Sequence, residues 1–234
     1  MNTEFFSAAD LRDWIRQTST VRPQIETYPQ GWSLAKQDPA ETIRAFTGLY
    51  VKEGFTLHAY QFKSSMGANS LAFALPRHIP CPAPASGASP SAPAEALEHV
   101  MDAISGDGSG RSYIEASIFL RELLEWGARW HGLSWRLHKV LGNDTWTSPT
   151  EEEDGSQSEL TLHKIRRWRW LEPTPENWAP RVSEQADSRI VTFYTFSRHR
   201  AERIYRHVDR YKFGSYTPTS EKAVMATGGA GYFT

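Results

Sequence analysis

Hydrophobic and polar residues alternate along this chain with two different periods, and the changes of period mark its elements. Near the start, Ser7 is placed as an N-cap, with Asp10 three residues on and Phe6 and Leu11 at the two positions of a hydrophobic staple. This predicts a helix over 8–18. Pro23, Pro29 and Gly31 then read as loop. Asp38-Pro39-Ala40-Glu41 is a second start signal, an acidic N-cap followed by proline at the first helical position. Ile43, Phe46, Leu49 and Tyr50 share one face of the helix it predicts, and Gly54 ends it.

The period then falls to two. Residues 55–62 alternate Phe55, Leu57, Ala59 and Gln61 against Thr56, His58, Tyr60 and Phe62, and 70–75 form a second apolar run. The polar Ser64–Asn69 stretch between them predicts a hairpin. Pro76 ends the second strand, because proline donates nothing to a ladder. Residues 76–93 are rich in Pro, Ala and Ser and are expected as a flexible loop inside one domain.

Leu97, Val100, Met101 and Ile104 predict a helix over 93–104. Ser112 and Glu115 form a capping box opening a longer helix to about Trp130, apolar nearly all round and therefore central. Two strands follow, 133–141 and 160–171, joined by a solvated acidic loop around Glu151–Gly155. Residues 189–196 are the last strand, and 197–212 read as an Arg/His/Tyr-rich helix. The tail, 213–234, reads as irregular. Strands do not alternate regularly with helices. The expected architecture is one α+β domain over 1–234, an antiparallel sheet of about five strands with helices on one face.

Composition changes this picture little. The 39% hydrophobic fraction includes nine Trp, nine Tyr and eleven Phe, enough large side chains to build a core. The net charge of −1 provides no global field toward nucleic acid or membrane. Cys81 is the only cysteine, which excludes an internal disulfide and a Cys-rich zinc site and fits a reducing compartment. The N-terminus has no secretory pattern, and no run of about 18 apolar residues could span a bilayer. The expectation is a cytoplasmic protein.

Candidate chemistry falls into three groups. On the expected C-terminal helix, His199, Arg203, Arg206 and Arg210 lie opposite an apolar stripe, with His207 flanking them. Guanidinium forks match carboxylate and phosphate oxygens, so this stripe is a candidate anion or partner surface. A solvated amphipathic face is the plainer reading. The segment Arg167-Trp168-Arg169-Trp170 interleaves cations and aromatics as single-stranded nucleic-acid binders do, although Trp at period two more often packs in a sheet. Trp126, Trp130, His131, Trp135 and His138 crowd one helix-to-strand junction and are candidate pocket walls.

No metal spacing, dinucleotide fingerprint, phosphate loop or nucleophile elbow occurs, so neither cofactor nor metal is expected. Three functions fit. The first is a non-catalytic accessory protein binding a protein partner or small ligand through Trp/Arg-rich surfaces. The second is an enzyme acting on an anionic substrate, with an Arg clamp and a His acid or base. The third is RNA or single-stranded DNA binding. An enzyme requires Arg and His to converge in one concave pocket; a binding module spreads its arginines over a surface. Exposed Trp would also favour a homo-oligomer.

Overall fold

The computed structural model describes residues 2–84, 90–130, 134–146 and 168–230. In chain order its elements are β1 (Thr3–Phe5), α1 (Ala8–Ser19), β2 (Gly31–Leu34), β3 (Leu49–Val51), β4 (Phe55–Ser64) and β5 (Gly67–Pro76). Next come β6 (Ile104–Gly106), α2 (Gly110–Leu124), β7 (Arg129–Trp130), β8 (His138–Leu141), α3 (Asn143–Trp146) and β9 (Arg169–Trp170). The chain closes with β10 (Arg181–Glu184), β11 (Ser188–Ser197), β12 (Ala201–Lys212) and β13 (Thr219–Ala230).

The result is an α+β arrangement dominated by antiparallel sheet. The large sheet runs β1-β10-β11-β12-β13-β9, and β8 also pairs with β11. A four-stranded sheet runs β2-β4-β5-β7, and β3 pairs with β6. This exceeds the five strands expected. The helices do not form one layer on one face: α2 packs against β10 and β11 of the large sheet and also against β5 of the smaller one. That position buries most of its surface, Ile114, Ile118, Phe119 and Leu123 included. The buried middle helix is thus observed, but its ends differ. Ser109, not Ser112, is the N-cap, its hydroxyl accepting from Ser112 N at 3.1 Å. The helix stops at Leu124 rather than Trp130.

Helix 8–18 and hairpin 55–75 form as expected, and β4 and β5 pair from Phe55↔Pro76 to Ser64↔Gly67. Two short helices do not form. The Asp38 cap is real, with its carboxylate accepting from Ala40 N at 2.8 Å, but it starts only a 3-10 turn over Pro39–Ala45. The buried Glu115 carboxylate then accepts from Gly48 N at 2.8 Å, and the chain enters β3. The 93–104 segment holds a 3-10 turn, Val100–Ala103, and then joins β3 as β6. Within 76–93, the residues from 77 to 84 and from 90 to 93 carry no helix or strand. They are not detached: Ile79, Cys81 and Ala92 pack against Tyr60, Phe73 and Leu75.

The C-terminal third departs furthest from expectation. Residues 201–212 are not a helix but strand β12, paired with β11 from Ser188↔Lys212 to Ser197↔Arg203. The tail is not irregular either, since β13 lies along the other edge of β12. Both faces of β12 are covered. His207, Asp209 and Tyr211 face α2, where Asp209 pairs with Arg121 and Tyr211 bonds Ser117. Ile204, on the other face, joins a cluster of Leu141, Trp178, Tyr194, Phe196 and Met225. A strand buried on both faces, one of them polar, shows no apolar/polar alternation. That is why its period misleads.

Candidate functional site

The hairpin β11–β12 brings distant residues to one point. Odd-numbered Phe193 and Thr195 of β11 pair across with His207 and Tyr205 of β12. In a pleated pair, directly opposed residues share a face, so these four side chains lie together. Ser197, next on β11, pairs with His138 of β8, which sets that imidazole beside Thr195. On the far side, Lys222 of β13 pairs with His207. From above come Arg121, Leu124 and Glu125 of the α2 C-terminal end and the Ser134–Trp135 segment. Together, Arg121, Leu124, Glu125, Trp135, His207 and Lys222 line a cleft of about 210 Å³.

Behind the lining, a hydrogen-bonded chain links Lys222 to His207 through His138 and Thr195. Lys222 Nζ lies 3.2 Å from His138 Nε2, His138 Nδ1 lies 2.7 Å from Thr195 Oγ1, and Thr195 Oγ1 lies 2.8 Å from His207 Nε2. An ammonium has donors only. With Lys222 charged, His138 Nε2 accepts, His138 Nδ1–H donates to Thr195, and the Thr195 hydroxyl donates to His207 Nε2. The chain therefore has one direction, and it assigns the His207 proton to Nδ1.

Both imidazoles are held neutral. Burial is the first cause of the His138 shift to about 3, reinforced by Lys222, Arg121 and His199. Burial likewise holds His207 well below its ordinary value, with Arg121 and His138 adding to it. Lys222 sits at the exposed rim. Its ammonium is also lowered, by partial burial first and then by Arg121, with Glu125 opposing.

The remaining polar groups are tied down. Arg121 forms a two-toothed pair with Asp209, at 2.6 and 3.0 Å, and its guanidinium lies over Trp135 and Phe193. Glu125 accepts from the backbone N–H groups of Ser134, Trp135 and Arg136, which folds the segment after α2 back onto the helix. The Trp135 indole donates to Glu122 at 2.7 Å. The His207 ring stacks on Phe193, with centroids 4.7 Å apart. Lys222 Nζ lies 4.2 Å from the Tyr205 ring centre.

Among the residues expected from sequence, Trp135, His138 and His207 come together here, drawn from two separate candidate groups. The arginines of the expected helix stripe do not. The strand puts Arg206 and Arg210 on the face opposite His207, while Arg203 is exposed on the His207 side. Arg206 pairs with Glu172 and, more distantly, Glu221. His199 precedes β12 at the turn and is partly buried. Trp168 and Trp170 are partly buried against the second aromatic cluster, and Arg169 is exposed. Trp126 is buried and lines a different cleft, while Trp130 is 50% exposed on β7. Arg167 and His131 lie outside the described residues.

Sequence reasoning missed Arg121, Thr195 and Lys222. Arg121 read as one polar residue of a long helix, and Lys222 fell in the supposed tail. Only Thr195 carried a signal, its two-residue spacing from Phe193 in a recognised strand. Among the described residues, no cluster of three or more His, Cys, Asp or Glu side chains could hold a metal ion, and no described helix is long and apolar enough to cross a membrane. Compared with protein-family models, curated proteins and solved structures, the chain matches none.

Proposed function

We propose that this chain binds a small anionic ligand in the Arg121–His207–Lys222 cleft. The observation that carries this reading is the convergence of a rim ammonium, a buried imidazole and an aromatic wall on one concavity. The ligand's apolar body lies against Leu124 and Trp135, and its anionic head meets Lys222. Few convergent polar groups on an otherwise apolar wall is the usual composition of a ligand site. A cytoplasmic setting belongs to the same proposal and is supported by the single cysteine.

The test is a calorimetric titration of a panel of small aromatic and aliphatic carboxylates against the protein and its Lys222→Ala variant. We expect saturable binding that K222A weakens at least about tenfold, the equivalent of ~1.4 kcal/mol. Absence of saturable binding across the panel, or affinity unchanged in K222A, overturns the reading.

The His138–Thr195–His207 chain favours a second reading, in which the cleft is the active site of an acid–base enzyme. Protonating a ligand from His207 Nδ1 lets Nε2 take the Thr195 proton. Thr195 then takes one from His138, and His138 takes one from Lys222. One proton passes from the rim ammonium to the ligand, and every intermediate site keeps its charge. Thr195→Val breaks this chain at nearly constant volume. Run in reverse, with Lys222 neutral, the relay takes a C–H proton at His207 Nδ1 and delivers it to Lys222; in a keto acid that binds, solvent deuterium exchange at the carbon next to the carbonyl should therefore be accelerated by the wild type and lost in T195V, with Thr195→Ser retaining it. Equal exchange in wild type and T195V removes the enzyme reading and leaves binding intact.

A further inference from the structure

A second cleft, of about 280 Å³, opens on the other side of the segment that follows α2. Its walls include Arg22, Glu26, Trp126, Arg129 and Arg136. Ser134 and Trp135 line the first cleft and Arg136 the second, so the two sites flank one turn of chain.

Three buried donors on residues that line this cleft have no acceptor among the described residues: Trp126 Nε1, Arg22 Nε and Arg136 Nε. Trp126 is only 1% exposed. A buried N–H without a partner carries the full cost of its desolvation, so such groups in a native protein normally mark a missing acceptor. All three missing partners are acceptors, and all three donors belong to residues of one cavity.

The charges agree with the donors. Arg22 is ion-paired to Glu122 at 2.5 Å, and Arg129 to Glu26. Arg136 has no carboxylate partner among the described residues. Its fork instead caps the end of α2, donating to the carbonyls of Glu125, Trp126 and Ala128. Burial, then the nearby Arg22 charge, lower its ionisation to about 10, against weaker support from Glu122 and Glu125. No described carboxylate bonds this guanidinium directly, and Glu122 and Glu125 support its charge only from a distance.

We propose that the second cleft binds a tetrahedral oxyanion of the phosphate class, held by Arg22, Arg136 and the indole N–H of Trp126. Guanidinium N–H groups suit phosphate oxygens, the unpartnered ones here being the two Nε–H, and an indole N–H is a donor with no competing acceptor role. This site is separate from the one proposed above and does not depend on it.

The probe is inorganic phosphate, titrated into protein carrying 15N-labelled tryptophan, with sodium chloride at matched ionic strength as control. The Trp126 indole resonance is assigned by its loss in Trp126→Phe. We expect a saturable downfield shift of that resonance with phosphate and not with chloride. We also expect a rise in Tm of several degrees at saturating phosphate. Calorimetry should show affinity reduced at least about tenfold in Arg136→Gln and about threefold or more in W126F, and unchanged in K222A. Because Arg136 also caps α2, Arg22→Gln provides the same test if R136Q does not fold. A parallel titration with glycerol 3-phosphate identifies the source: tighter binding than inorganic phosphate assigns the site to a phosphorylated metabolite, and weaker binding to the free ion. A shift that chloride reproduces, or phosphate affinity unchanged in W126F and R22Q, overturns the proposal. So does phosphate affinity lost in K222A, which would place the anion in the first cleft.

Discussion

His138 and His207 hang on one hydroxyl, and this sets how the protein responds to acid. Thr195 has a single proton, so it donates to one imidazole and accepts from the other. That arrangement needs His207, the accepting ring, neutral, and the Lys222 ammonium at His138 Nε2 needs the same of His138. Both are held below the ordinary imidazole value in the fold, first by burial and then by neighbouring cations, Arg121 and Lys222 facing each and His199 facing His138. In the unfolded chain the same rings take up protons as pH falls through about 6.5. Between that pH and the folded value, near 3 for His138, the unfolded state binds more protons, and stability falls as pH falls. Each ring should contribute a loss on the order of 2 kcal/mol by pH 4.5. Urea denaturation at pH 7 and pH 4.5 checks it: His138→Gln should remove roughly half of the difference, and an equally steep loss in that variant assigns the acid sensitivity elsewhere. The same residues show what one chain position can reveal. His207 reads as a flanking helical residue in sequence, whereas its buried, stacked position depends on Phe193, which lies opposite it on another strand.

At the scale of elements, the helix-to-strand reversal of 201–212 has a physical cause. Ile204, Tyr205, Val208 and Tyr211 recur at helical spacing, but they are also β-branched or aromatic, types that fit a pleated surface. The competition is decided by partners. A continuous ladder to β11 on one edge and another to β13 on the opposite edge satisfy the backbone of β12. Local periodicity carries no information about such partners. The amides of Arg203–Arg210 should accordingly exchange with deuterium as slowly as those of the middle of β11, measured by mass spectrometry; exchange on the time scale of exposed turns would contradict the two-edged ladder. The Arg167–Trp170 segment gives a related case. Trp168 packs edge-on to Phe196 and Trp170 lies against Trp178, each with ring centres 6.1 Å apart. Removing either ring empties part of that cluster, so Trp168→Ala and Trp170→Ala should each cost about 1–3 kcal/mol in denaturant titrations. Unchanged stability in both would return the rings to a surface role.

Across the whole molecule, α2 is the central support. It meets both sheets; its buried Glu115 and Glu122 bind Gly48 and Thr18, far along the chain, and Glu125 at its C-cap binds Ser134 just beyond it. Both clefts open where its last turn meets the segment from Ser134 to Arg136, so their shapes depend on how that helix ends. Local chemistry determined what the sequence alone could reveal: the Ser7 and Asp38 caps, the β4–β5 hairpin, a strand over 189–196, the buried character of α2 and the exclusion of an internal disulfide. Each of these depends on neighbours within a few residues or on composition. Tertiary structure alone decided the rest. The turn after α2 is held by Arg136 on the carbonyls of Glu125, Trp126 and Ala128, the strand identity of 201–212 by ladders on both edges, and the cleft by strand order, which brings Lys222, His138, Thr195 and His207 into one hydrogen-bonded chain. Pairing between residues dozens of positions apart leaves no periodic trace in either segment, so polar side chains that meet only through such pairing were invisible until the sheet was assembled.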